Sequence, residues 1–251
     1  MKKLIAANWK MNKTADEAVS FIKEFRKLVN NEKNVDVVIC PPFTALNAVS
    51  DKLKKSNIKL GAQNMHHENS GAFTGEISPL MLKELGCRYV ILGHSDRREM
   101  GETDLLINKK VISALNHQLV PILCIGETHE QRMKDETQDV LENQLIKCLQ
   151  NVEYIKNAVI AYEPVWAISR GNPSQKAATK ADAEEAHLFI RKLIEGIYDE
   201  KTAKETRIIY GGSMKPENAK ELLSMKNIDG GLVGNASLDA KSFAEIVRSI
   251  I

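Results

Sequence analysis

The 251-residue chain is predicted to fold as a single α/β domain, residues 1–251, whose eight strand–helix units close into a (β/α)8 barrel. Three observations lead there. Short runs rich in β-branched residues alternate with longer stretches of helical periodicity, the pattern of parallel strands joined by crossover helices. Eight such units in 251 residues average about 31 each, the size of one βα repeat. Hydrophobic pattern alone would equally allow an open doubly wound sheet. The third observation favours the barrel: the unusual residues follow the strands, where barrels gather their sites. These are Asn8 and Lys10, His94 and Ser95, Glu163, Gly211 to Ser213, and Gly234 with Asn235.

In chain order the strands are expected near Leu4 to Asn8, Asp36 to Cys40, Ile58 to Ala62, Tyr89 to Gly93, Pro121 to Ile125, Ala158 to Glu163, Arg207 to Tyr210 and Gly231 to Val233. The clearest helices are Ala15 to Val29, Asp104 to Asn116, Glu136 to Leu149, Lys180 to Ile197, Pro216 to Leu223 and Lys241 to Ile250. Thr14 and Glu17 offer a capping box at the start of the first helix.

With 43% hydrophobic and 27% charged residues the chain can bury a large core and keep a solvated surface. Lys and Arg number 35 against 33 Asp and Glu, a formal charge of +2 that gives no general attraction to nucleic acid or anionic membrane. Any anion site must be local. Cys40, Cys87, Cys124 and Cys148 form no CxxC pair, so neither structural zinc nor a disulfide framework is suggested, and a cytoplasmic setting is the simplest. The apolar run after Lys2 and Lys3 is interrupted by Asn8 and Lys10, too soon for a secretory signal or a membrane span; it reads as a strand. No GxGxxG follows that strand, so a dinucleotide site is poorly supported.

Four segments carry possible chemistry. In AANWKMN, Asn8 and Lys10 are two residues apart, on one face if the strand continues, and a lysine aimed into a barrel mouth is a fixed charge for an anion. In YVILGHSDRR, a helix starting after His94 would disfavour its imidazolium form and leave a neutral ring able to donate to a carbonyl oxygen. In AYEPVWAI, Glu163 precedes Pro164 and Trp166; partial desolvation there would raise its basicity and suit it to take a proton from carbon. The glycine-rich YGGSM and GGLVGNASL follow the seventh and eighth strands, where backbone N–H groups can bind a phosphate. His66, His67, His117, His129 and His187 fall in no tight metal-ligand spacing.

Together AANWKMN, GHSDRR, CIGE, AYEPVWAI, YGGSM and LVGNASL, in this order and approximate spacing, resemble the triosephosphate isomerases from Ala6 to Leu238. The resemblance implies the TIM barrel of that family and a homodimer. It further implies no metal or organic cofactor, and interconversion of dihydroxyacetone phosphate and D-glyceraldehyde 3-phosphate in glycolysis and gluconeogenesis. It makes Glu163 the base, His94 the neutral electrophile and Lys10 the positive charge, with Asn8 positioning the substrate. Ser213, Gly234 and Asn235 fall on the family's phosphate-binding positions, and Ser169 falls where its lid glycine contacts phosphate. Cys124 and Glu127 are expected to give structural support. The stretch Gln63 to Glu76 resembles the loop that plugs a partner subunit, which would bring Thr74 toward the partner's Asn8 and Lys10. Three departures stand out: Asp96 for the usual Glu, Asn235 for a usual Gly, and a lid, Pro164 to Thr179, four residues longer than usual.

Overall fold

The computed structural model describes residues 1–168 and 178–250. Its strands are β1 (Lys3–Asn8), β2 (Val35–Cys40), β3 (Lys59–Ala62), β4 (Tyr89–Leu92), β5 (Val120–Ile125), β6 (Val159–Tyr162), β7 (Arg207–Tyr210) and β8 (Gly230–Val233). All pair in parallel, and they follow one another around a closed barrel in chain order. The open-sheet alternative is thereby removed. The last pairing joins β8 back to β1, with Leu4 opposite Gly230 and Ala7 opposite Val233.

Both faces of the sheet are buried, which explains why the strands read as continuous apolar runs. Alternate residues point inward, and Leu4, Ala6, Val38, Ile91, Ile122 and Leu232 belong to one buried cluster. Their neighbours Ile5, Ala7, Val37 and Ile39 belong to a second cluster shared with the surrounding helices. At the N-terminal end of the barrel Arg207 of β7 reaches Asp36 of β2 at 2.8 Å and the Tyr89 hydroxyl of β4 at 3.2 Å. These polar links tie three strands at the end opposite the mouth.

The helices are α1 (Ala15–Val29), α2 (Phe43–Leu53), α3 (Pro79–Glu84), α4 (Ser95–Glu99), α5 (Asp104–Asn116), α6 (His129–Met133), α7 (Thr137–Cys148), α8 (Lys180–Ile197), α9 (Glu200–Glu205), α10 (Pro216–Leu223) and α11 (Ala240–Arg248). The Thr14–Glu17 capping box is present: Thr14 Oγ1 accepts from the Glu17 amide and the Glu17 carboxylate accepts from the Thr14 amide. α2 lacks a comparable start signal, since Pro42 precedes it and supplies no side-chain cap. That absence explains why it is faint in the sequence although Ala45, Leu46, Val49 and Leu53 bury one face. Among the described residues no helix is long and apolar enough to cross a membrane. All four cysteines are free and buried.

Closure depends on close backbone approach at the seam. Leu4 N–H donates to the Asp229 carbonyl at 2.9 Å, and a Cβ on Gly230 would stand 1.8 Å from the Leu4 carbonyl oxygen. Gly230 also has φ of +153°, a backbone region that L side chains rarely adopt. Gly230→Ala should therefore lower the unfolding free energy by more than about 3 kcal/mol, read as a fall in the urea midpoint. An unchanged midpoint would show that the seam has slack.

Candidate active site

Lys10 stands just beyond β1 with φ of 51°, in the left-handed region that costs a non-glycine residue about 1–2 kcal/mol. Side chains hold it there. The Asn8 Oδ1 accepts from the Lys10 amide at 3.1 Å, while Gln63 Nε2 donates to the carbonyls of Lys10 (2.9 Å) and Cys40 (3.0 Å). Trp9 is fully buried and donates from Nε1 to the Ser237 carbonyl at 3.1 Å, tying the β1 end to the segment after β8. The strained backbone thus fixes where the lysine leaves the barrel rim.

The Lys10 ammonium lies 3.1 Å from Asp96 Oδ2. The shorter carboxylate of Asp96 still reaches the lysine. Asp96 also acts through its main chain, since its N–H, at the first turn of α4, donates to His94 Nδ1 at 3.0 Å. A nitrogen that accepts carries no proton, so this bond assigns the ring proton of a neutral His94 to Nε2. The expected helix start after His94 is present, and it acts through one specific amide.

Glu163 follows β6 and is 2% exposed. Its Oε2 accepts from the Ser95 N–H at 2.9 Å. His94 Nε2 lies 2.9 Å from Oε1, close but off the line of a well-aligned hydrogen bond. Burial pushes the Glu163 carboxyl upward, yet the charge His94 carries when protonated, its hydrogen bond, the Ser95 amide and the Lys10 charge outweigh burial and hold the group below its ordinary value. The raised basicity expected from desolvation is therefore corrected. The direction is reversed because the carboxylate is turned onto donors that stabilise its charge.

Backbone crowding leaves room for that side chain. A Cβ on Gly211 would stand 2.8 Å from Glu163 Cγ, and one on Gly126 would stand 1.8 Å from the Glu163 carbonyl oxygen. Glu127, the other glutamate of the expected motifs, is fully buried and accepts from Trp166 Nε1 at 2.7 Å and the Tyr162 hydroxyl at 3.1 Å. It anchors the turn after Glu163. Cys124 faces the barrel interior, where burial pushes its thiol up.

The strand ends enclose a cleft of about 1140 Å³. Asn8, Lys10, His94, Glu163, Ser213, Gly234 and Asn235 all line it. Ser213 is held by α10, whose Asn218 donates to the Ser213 carbonyl at 3.0 Å and accepts from the Lys215 amide at 2.7 Å. A Cβ on Gly234 would meet nothing within 4 Å, so the cleft is open there. Asn235 begins a 3₁₀ turn (Asn235–Ser237) with ordinary φ, so the tolerance of Asn for left-handed angles is not drawn upon. Ser169, with most of the expected lid, lies outside the described residues. Ser95 is marked in the sequence beside His94, and Gln63 as the start of the loop 63–76, but their roles here are not, because a carbonyl-binding amide and a main-chain donor carry no residue-type signal. Among the described residues no group of three or more His, Cys, Asp or Glu side chains is placed to hold a metal ion.

The fold and cleft define a class: a (β/α)8-barrel enzyme whose mouth brings together a buried carboxylate, an imidazole and an ammonium group. The family model described as triosephosphate isomerase matches residues 3–250, and the chain belongs to that family. The triosephosphate isomerases of Dictyoglomus turgidum and Aquifex aeolicus are each 51% identical to it over 251 residues, covering 99% of this chain and 99% and 100% of theirs. The crystal structure of triosephosphate isomerase from Bartonella henselae superposes with a TM-score of 0.90 at 38% identity, covering 99% of both chains.

A carboxyl group held below its ordinary value binds fewer protons folded than unfolded, so its stabilisation is present above the ordinary glutamate value of 4.5 and is lost as pH falls toward the folded value. The stability of the wild-type chain should therefore fall faster than that of Glu163→Gln as pH drops below that value. Guanidinium unfolding of both proteins at a series of pH values checks this, and parallel curves would contradict it.

Proposed function

We propose that Glu163 is the base that carries a proton between C1 and C2 when the chain interconverts dihydroxyacetone phosphate and D-glyceraldehyde 3-phosphate, the glycolytic reaction of its family. The observation that supports this most is the convergence of Lys10, His94 and Glu163 on one cleft beside the glycine-rich ends of β7 and β8. The proton leaves C1 of the ketose for the Glu163 carboxylate, giving an enediolate, and returns to C2 to form the aldose. His94 Nε2–H donates to the carbonyl oxygen as charge collects there, and serves in moving the hydroxyl proton between the two oxygens. A neutral ring suits this role because its Nε2–H is a weakly acidic donor, comparable to the enediol hydroxyls with which it exchanges a proton. A glutamate base beside a neutral histidine is the known scheme of triosephosphate isomerases, and the roles given to Glu163 and His94 follow that precedent.

Lys10 supplies fixed positive charge to an anionic substrate, and Asn8 orients it. The phosphate is held by the segment around Ser213 and by Gly234 and Asn235, whose backbone N–H groups suit an anion, and the cleft is open at Gly234. Ser169 completes that grip in this reading. In the resting arrangement Glu163 Oε2 is engaged by the Ser95 amide, so substrate binding must exchange that bond before the oxygen can meet a C–H. Leaving the amide also removes one of the influences that hold the carboxyl down, so its basicity rises as it reaches the substrate.

Residues 1–251 are proposed to act as one cytoplasmic domain without metal or organic cofactor. Two copies are proposed to pair through the loop 63–76. In one chain that loop leaves Phe73 44% exposed, with Met11 of the β1 end 95% exposed, apolar surface that a partner would cover. Light scattering at assay concentration should give the mass of a dimer; a fully active monomer would refute the pairing.

Glu163→Gln should lower kcat by several orders of magnitude and change affinity for a triose phosphate analogue far less, because the amide keeps the shape but cannot take the proton. Steady-state assay with glyceraldehyde 3-phosphate, beside analogue binding, measures both. Activity near that of the wild type would remove Glu163 from the role.

A further inference from the structure

The connection between β6 and α8 carries Glu163 at one end and the α8 cap at the other, and one guanidinium touches both ends. Arg132 of α6 places its Cζ 4.2 Å from the centre of the Trp166 ring, three residues beyond Glu163. Its Nη1 lies 3.5 Å from Glu127 Oε1, the same oxygen that accepts from Trp166 Nε1. Its Nη2 donates to Asp182 Oδ1 at 2.7 Å. The other oxygen of Asp182 accepts from the Thr179 amide at 3.1 Å and the Thr179 hydroxyl at 2.5 Å, which closes the cap of α8. Arg132 and Asp182 are each about a third exposed, and an isolated ion pair at such exposure contributes little to stability. Arg132 instead joins three partners at once, one of them the fully buried Glu127, and these lie at the two ends of the connection that carries Glu163.

We infer that Arg132 is a positioning residue for the reaction: it locks the turn that follows Glu163 to the start of α8, so that the base keeps its place relative to the cleft. The inference rests on the reading of Glu163 as the base. The route is contiguous. Arg132 stacks on Trp166, Trp166 is bonded to Glu127, and the Glu127 carbonyl accepts from the Val165 amide at 3.1 Å, two residues from Glu163. Guanidinium geometry suits the place, since the group lies over the ring while its Nη atoms reach two carboxylates, and a single ammonium can keep only part of this. A base displaced by a fraction of an ångström loses rate in the proton transfers while substrate affinity, set by charge and phosphate contacts, is little altered. Slower reprotonation also gives the enediolate more time to break its C–O bond to phosphate, which yields inorganic phosphate and methylglyoxal.

Arg132→Gln, Arg132→Lys and Asp182→Asn in the full chain test this, assayed for isomerisation, for methylglyoxal released per isomerisation event, and for melting temperature. Arg132→Gln should lower kcat about tenfold with KM changed less than about threefold, and should raise the methylglyoxal ratio several-fold. Arg132→Lys should show the same changes to a smaller degree. Asp182→Asn, which removes the charge of the second tie and leaves the contact of Arg132 with Trp166 in place, should also raise the ratio, by less, and should add little to Arg132→Gln. If the ratio and the kcat-to-KM pattern per folded molecule match the wild type in the variants that fold, Arg132 is only structural and the inference fails, whatever the melting temperatures do. Glu163→Gln run alongside keeps the two readings apart: if that variant is active the base assignment has failed, whereas an inactive Glu163→Gln beside wild-type kinetics in the Arg132 variants sinks only the role of Arg132.

Discussion

Pairing between the first and last strands is the constraint from which the rest of the architecture follows. Leu4 and Gly230 are far apart in the chain, yet they are opposite one another on adjacent strands. Once that seam is shut, the ends of all eight strands form a single rim, and residues after β1, β4, β6, β7 and β8 face one volume. An open sheet with the same strands would place the β1 and β8 ends in different surroundings. The seam tolerates no side chain at Gly230, because the ladder there brings two backbones too close for a Cβ.

Within the mouth, charge is organised in a chain of partners. Asp96 faces Lys10, His94 stands beside both Asp96 and Glu163, and Glu163 is held by the Ser95 amide. Each buried polar group is stabilised by the next, which is how a carboxylate can be 2% exposed and still be held in its charged form. The backbone contributes as much as the side chains. The left-handed turn at Lys10 and the amides of Ser95 and Asp96 set positions that residue types alone do not reveal.

That division marks what the sequence makes legible. The strands and the long helices are plain from period and punctuation, as with Ala15–Val29 and its capping box. The convergence of Lys10, His94 and Glu163 is also legible, because each stands just after an apolar run and is a reactive type. The resemblance to a family added their roles and the phosphate positions. Hidden from the sequence were α2, which begins without a cap, the grip of Gln63 on the Lys10 carbonyl, and the direction in which Glu163 is shifted. The last two depend on side chains meeting across the barrel and on a rotamer, neither of which leaves a periodic trace.

Residue 96 performs two tasks with two different parts. Its amide fixes the proton on His94, and its carboxylate faces Lys10. The first task is insensitive to the side chain, since any residue except proline offers the same N–H. The second depends on length and charge alone. The amide that sets the histidine tautomer thereby survives mutation at this position, while the surroundings of the lysine can be retuned by exchanging one acidic residue for another. A site built in this way can drift at one of its charges and keep the main-chain bond that orients its neighbour.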